Sequence, residues 1–254
     1  MITWDQVIQG MLKRKEILAL TVKAVCILSF VWAALFYILL FIDFPYAKLN
    51  AVANGIQFFS GLAIGMLVIC YARFSCQRYL VLGVALAVLS WTLGQLYWFS
   101  VIFLNGSSLP YPSIADLGFI GTYFFLIGVI HTITRGIPQY TIEIKYWNLW
   151  PLGLLVIPIF LALAGSSNLL INIDNLVLTL AIVYTLWKAQ PIFPIIRYRL
   201  FIAGLCLLCL SDMIFIICVC LIPDTCTLST DALFPAALSL TAYGFMKVEE
   251  MSDG

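Results

Sequence analysis

Asp212 lies inside an apolar run that extends from Arg199 to Leu221, and no Lys or Arg falls at its depth in that run. A carboxyl group in the middle of a membrane helix is expensive and marks a functional site by default. It must be protonated, hydrogen-bonded by its neighbours, or paired with a bound cation. Gln95 falls at a similar depth in another apolar run, with Trp91 and Trp98 on the same helical face at i, i+4 and i+7. That spacing makes an aromatic wall carrying one amide. Two chemistries fit these residues. They could line a ligand or ion pocket, or Asp212 and Gln95 could form a polar clamp between two helices, since interhelical hydrogen bonds hold membrane bundles together.

Three further aspartates stand where apolar runs begin: Asp116, Asp174 and Asp231. Helix starts favour acidic residues, which cap orphan backbone N–H groups and complement the helix dipole. The same three, with Asp43 and Asp224, would equally make an acidic rim around a pocket for a ligand or cation.

Other chemistries find no support. Cys206 and Cys209 have redox-motif spacing but lie in an apolar helix, where cysteine acts as a small hydrophobe. Cys226 alone falls in a loop on the outer side, with no evident partner. His131 is the single histidine, so neither a bis-histidine haem nor a multi-histidine metal site can be built from this chain alone. No lysine occupies mid-span, against a retinal Schiff base. Neither a glycine-rich phosphate loop nor a Gly-x-Ser-x-Gly elbow appears. No cofactor can be assigned.

The elements that would position these residues follow from composition. Hydrophobic residues make up 63% of the 254 and charged residues 10%, against about 25% charged in soluble domains. The natural solvent is a lipid bilayer, and the continuous apolar runs favour helices over barrel strands. A net charge of +1 offers no footprint for nucleic acid. The expected fold is therefore all-α, a polytopic transmembrane bundle of about eight spans. They are read at 17–42, 52–71, 79–103, 114–133, 147–165, 170–187, 199–221 and 231–247, with a kink at Pro158. Residues 1–16 precede them as an amphipathic helix on the inner membrane surface, and residues 248–254 follow as a short tail.

Basic residues set the orientation. With the N-terminus inside, Lys13, Arg14, Lys15, Lys23, Arg73 and Arg78 are cytoplasmic, as are Arg135, Lys145, Lys188, Arg197, Arg199 and Lys247. Only Lys48 lies outside. This asymmetry predicts both termini in the cytoplasm of a cell with an inner (plasma) membrane. Similar features recur about 115–120 residues apart: Asn54 and Asp174, Gln95 and Asp212, Asp116 and Asp231. The alternatives are chance likeness among apolar hairpins and a 4+4 repeat of parallel orientation, with a binding site between the halves.

The connection into the fourth span reads Leu109-Pro110-Tyr111-Pro112-Ser113-Ile114-Ala115-Asp116-Leu117-Gly118-Phe119. This Pro-Ser-x-Ala-Asp string resembles a polytopic membrane region found ahead of GGDEF diguanylate cyclase or histidine kinase domains in bacteria. The likeness extends to Asn172–Leu176, to Gly204 through Asp212 and to Asp231. It implies a sensor that passes a signal to a cytoplasmic output domain. Here only Lys247–Gly254 follow the last span, so the expectation is a stand-alone, non-enzymatic sensor or interaction module. Its small ligand faces outward, and its partner is a cytoplasmic or membrane signalling protein or a second copy of the chain. A small cation or solute transporter using Asp212 is the alternative. An intramembrane lipid-modifying enzyme ranks third, since no nucleophile, base or metal cluster is visible.

Overall fold

The structure is a computed structural model that describes residues 4–42, 44–105, 113–136, 146–164, 169–221 and 230–250. Asp43, Lys145, Asp224, Cys226, and the polar stretch 165–168 fall outside the described residues. Every element among those described is helical.

Helix α1 runs Trp4–Phe41, α2 Tyr46–Ala72, α3 Arg78–Asn105 and α4 Ile114–Arg135. A 3-10 stretch, Tyr146–Leu155, leads into α5, Val156–Ala164; α6 spans Leu169–Ala189, α7 Arg199–Leu221 and α8 Leu233–Glu250. Six stretches are long and apolar enough to cross a membrane: Gln9–Phe41, Lys48–Ala72, Arg78–Val101, Ile114–Arg135, Leu169–Ile192 and Ile196–Cys218. The chain is an all-helical, multi-pass membrane bundle. The other two expected spans fall short of that measure for different reasons. Around 146–164 the α-helix is short, because Pro151 and Pro158 each lack an N–H. The chain takes 3-10 form through Pro151 and becomes α only at Val156. This leaves Pro158 in the first turn, where the missing donor is harmless. Helix α8 has 18 residues and ends in Lys247, Glu249 and Glu250, and that charged last turn takes it below the measure. Ala236, Ala237, Ser239, Thr241 and Ala242 are all buried, small residues that let α1, α2, α3 and α7 pack around it.

Helix α1 shows the opposite pattern. Ala19, Val22, Cys26, Ser29, Ala33 and Phe36 are buried at alternating steps of three and four, a seam that packs on α8 and α2. Leu20, Ile27, Leu28, Val31, Leu35 and Ile38 are exposed between them, as a lipid-facing surface requires. The helix is continuous from Trp4, with no break at residue 16 to separate a surface helix from the first span. Its 38 residues reach about 57 Å at 1.5 Å each, against a hydrocarbon core of about 30 Å.

Two helix pairs approach especially closely, each through glycine. A Cβ on Gly118 of α4 would meet the Gly94 nitrogen at 2.6 Å and the Ser90 carbonyl oxygen of α3 at 2.7 Å. A Cβ on Gly244 of α8 would meet the Phe201 Cα of α7 at 2.7 Å, and one on Gly204 would meet the Thr241 Cα at 2.7 Å. Buried hydroxyls return their hydrogen bonds to their own helices: Thr92 to the Val88 carbonyl, Ser211 to Leu207, Thr241 to Ala237. No water is needed to satisfy them.

Candidate functional site

The residues with chemical potential gather at two opposite ends of the bundle. At the end where α2, α4 and α8 begin and α3 and α7 finish, a cavity of about 30 Å³ is lined by three carboxyl groups: Asp116, Asp212 and Asp231. Gln57 and Gln95 add two amides. Five aromatic rings complete the wall: Trp91 and Trp98 of α3, Phe119 of α4, Phe215 of α7 and Phe234 of α8. Leu178 of α6 is the remaining lining side chain, and no basic residue is among them.

Each carboxyl arrives by a different local device. Ser113 caps α4: its hydroxyl accepts from the Ala115 N–H at 3.2 Å, and Asp116 accepts from the Ser113 N–H at 2.5 Å. The capping expected for Asp116 is therefore present, and the same residue also faces the cavity. The close crossing at Gly118, reinforced by Ser90 Oγ donating to the Gly118 carbonyl at 3.0 Å, sets Phe119 against Trp91, with ring centroids 5.6 Å apart. Asp231 stands two residues before α8, and Phe234 brings its ring within 5.2 Å of Trp91. Asp212 comes from the middle of α7 and is 4% exposed. Its carboxylate accepts a short hydrogen bond from the Tyr123 hydroxyl of α4.

Gln95 and Asp212 share the cavity but do not bond to each other. Gln95 Nε2 donates to Asn54 Oδ1 of α2 at 2.6 Å, and the Asn54 amide in turn donates to Asn50 Oδ1 at 2.7 Å. The clamp expected between the third and seventh spans is thus two separate clamps, one from α3 to α2 and one from α7 to α4. Gln57 is 1% exposed and interacts with the Asp231 carboxyl, yet its Nε2 has no well-formed hydrogen bond. Trp98 Nε1 is likewise buried without a partner.

Of the seven residues singled out in the sequence, six line the cavity. Asp174 does not. It lies in the second turn of α6 rather than at its cap, near enough for its charge to act on Asp116. Gln57, Tyr123 and the three phenylalanines were missed. A signal for the rings was present: Asp116 and Phe119, Asp212 and Phe215, and Asp231 and Phe234 are three Asp-x-x-Phe steps, with Gln95 and Trp98 a fourth of the same spacing. One helical turn puts each ring beside its polar residue. Asp174 has Val177 at that position.

At the other end, where α2 and α8 finish, Glu249 is fully buried. Lys15 of α1 pairs with it at 2.9 Å, Tyr71 of α2 donates to it at 2.5 Å, and the Cys76 N–H donates at 3.1 Å. The Lys15 ammonium also lies 5.4 Å from the centre of the Tyr71 ring. One carboxylate thus joins α1, α2, α8 and the turn between α2 and α3. No sequence signal pointed to it, because Glu249 falls one residue into what reads as a polar tail.

Cysteine chemistry also differs between the ends. Cys218, near the close of α7, is disulfide-bonded, contrary to the expectation that the cysteines act only as small hydrophobes. Cys70 and Cys76, at the opposite end, are free and exposed. Cys206 and Cys209 are free, so their redox-motif spacing holds no bond. Among the described residues no group of His, Cys, Asp and Glu is placed to hold a metal ion. No family model matches the chain, and neither a curated protein nor a solved structure matches it.

Proposed function

We propose that this chain is an integral membrane sensor or interaction module. Its cavity opens to the outer side and receives a small solute, and its inner face signals through, or assembles with, a partner. One observation carries this reading: α8 has Phe234 in the cavity at its start, with Asp231 two residues before it, and the buried Glu249 ion pair at its end. Eighteen residues rise about 27 Å, enough to link the two faces of a bilayer. A ligand that moves Asp231 or Phe234 acts on a rigid helix whose far end holds α1, α2 and the α2–α3 turn together.

The full topology belongs to this proposal: eight spans in two four-helix halves, with both termini cytoplasmic in an inner membrane. The positive-inside asymmetry supports it. The cysteines support it independently, since the disulfide lies at the cavity end and free exposed thiols at the other, as an oxidising exterior and a reducing cytoplasm would leave them. The glycine-mediated pairs α3–α4 and α7–α8 are the third and fourth helices of the two halves.

A transporter is the second reading, favoured by the hydrogen bond from Tyr123 to Asp212 deep between α4 and α7. Cys76 separates the two. In a variant with Cys70 and Cys206 replaced by alanine, an impermeant maleimide should label Cys76 only after the cells are permeabilised. In open membranes, a cavity ligand should change the labelling rate, because the Cys76 backbone is bonded to Glu249. Labelling of Cys76 in intact cells sinks the orientation. A constant rate, with solute flux that Asp212→Asn abolishes, makes the chain a transporter.

A further inference from the structure

We propose that the outer cavity binds a small organic ammonium ion that also carries an oxygen acceptor, in the manner of an amino alcohol. This names a ligand class for the pocket proposed above and rests on that reading.

Charge comes first. Asp116, Asp212 and Asp231 share one cavity with no lysine or arginine in its wall. Carboxylates so placed repel one another until protons or a cation neutralise them, so an anion is excluded and a cation is welcome. The walls then select the kind of cation. A hard metal ion takes about six or more oxygen ligands, whereas most of this surface is the rings of Trp91, Trp98, Phe119, Phe215 and Phe234. Aromatic faces attract ammonium groups, and more strongly when water is excluded.

Two donors supply an independent requirement. Gln57 is 1% exposed and its Nε2, beside the Asp231 carboxyl, makes no well-formed hydrogen bond, and Trp98 Nε1 is buried without a partner. Buried donors left unsatisfied are costly, and an alkylammonium alone has no acceptor to offer them. A hydroxyl or carbonyl oxygen does. A carboxylate would also accept, but it would bring a fourth negative charge to three acids, which disfavours amino acids. Size completes the description: about 30 Å³ is far below the roughly 300–1,000 Å³ of pockets for drug-sized ligands. The ligand therefore has few atoms.

The test uses the full chain in mild detergent, with thermal unfolding followed against ethanolamine. Ethylene glycol, glycine and sodium chloride serve as neutral, zwitterionic and inorganic comparators at matched ionic strength. Ethanolamine should raise the unfolding midpoint saturably, glycine should act at least tenfold more weakly, and ethylene glycol and sodium should do nothing saturable. Asp212→Asn should weaken the ethanolamine response at least tenfold. Phe119→Leu, which leaves every carboxyl in place, should weaken it severalfold. No saturable response to ethanolamine, or an equal one to sodium chloride, overturns the ammonium assignment. So does a response that both variants retain in full. A saturable response to glycine or ethylene glycol that Asp212→Asn removes would leave the pocket reading standing with a different ligand. If no solute changes either the midpoint or Cys76 labelling, the pocket reading falls as well.

Discussion

The two ends of the bundle each bury carboxyl groups, but they treat them oppositely. Glu249 has an ammonium, a phenol and a backbone N–H around it, all within hydrogen-bond distance. The cavity acids share their space with amides and rings, and Asp212 accepts its hydrogen bond from a tyrosine. Among the described residues the Lys15–Glu249 contact is the one salt bridge. A paired, fully satisfied carboxylate holds helices in register, whereas carboxyls held without a cation are arranged for something that arrives. The difference teaches that burial of charge alone does not locate function; the unmet half of the interaction does.

The sharpest way to break that comparison is to take the ammonium away from Glu249. Lys15→Met removes the cation of a buried pair, which costs about 3–5 kcal/mol. The expected result is a fall of roughly 6–20 °C in the unfolding midpoint in detergent, at about 2–4 °C per kcal/mol for a chain of this size. Tyr71→Phe should give a smaller fall, since it removes one hydrogen bond to a charged group, about 1.5–3 kcal/mol. If Lys15→Met unfolds at the temperature of the unaltered chain, the Glu249 site is no lock.

Asp212→Asn is the matching change at the cavity end and should scarcely touch stability. The asparagine Oδ1 still accepts from Tyr123, and no basic partner is left behind, so the expected change is under about 1 kcal/mol in either direction. A loss comparable to that of Lys15→Met would show that Asp212 is as structural as Glu249, and the contrast between the ends would collapse.

The cavity end was far more legible in the sequence than the Glu249 end, for physical reasons. Asp212, Gln95 and the tryptophans stand out because each interrupts lipid-compatible sequence or repeats at helical spacing. Glu249 does not, because it follows the last apolar stretch and its partner Lys15 is 234 positions away. Helix α8 was legible as an apolar run over 231–247, but its packing was not. Its small residues face four other helices, and hydropathy reports lipid exposure rather than membrane placement. The hydrogen-bond partners were not legible at all: nothing in one sequence says that Gln95 reaches Asn54 rather than Asp212. The Asp-x-x-Phe steps were there to be seen, and they separate the aspartates that line the cavity from Asp174, which does not.

The smallest expected effect tests whether the Gln95–Asn54 contact is a fastener that would operate without any ligand. A double-mutant cycle with Gln95→Leu and Asn54→Leu measures it. Interhelical hydrogen bonds in membranes average about 0.6 kcal/mol, with a maximum of about 1.7, so a coupling near the average is expected from unfolding midpoints. The double variant should cost less than the sum of the two singles by that coupling, because it loses the shared contact once rather than twice. Asn54 retains Asn50 in the Gln95→Leu variant, at 2.7 Å from its amide, so Asn54→Leu should be the costlier single change. A coupling above about 2 kcal/mol would place this pair with Glu249 among the locks rather than with the cavity, and the division between the clamped Glu249 end and the cavity end would have to be redrawn through α3.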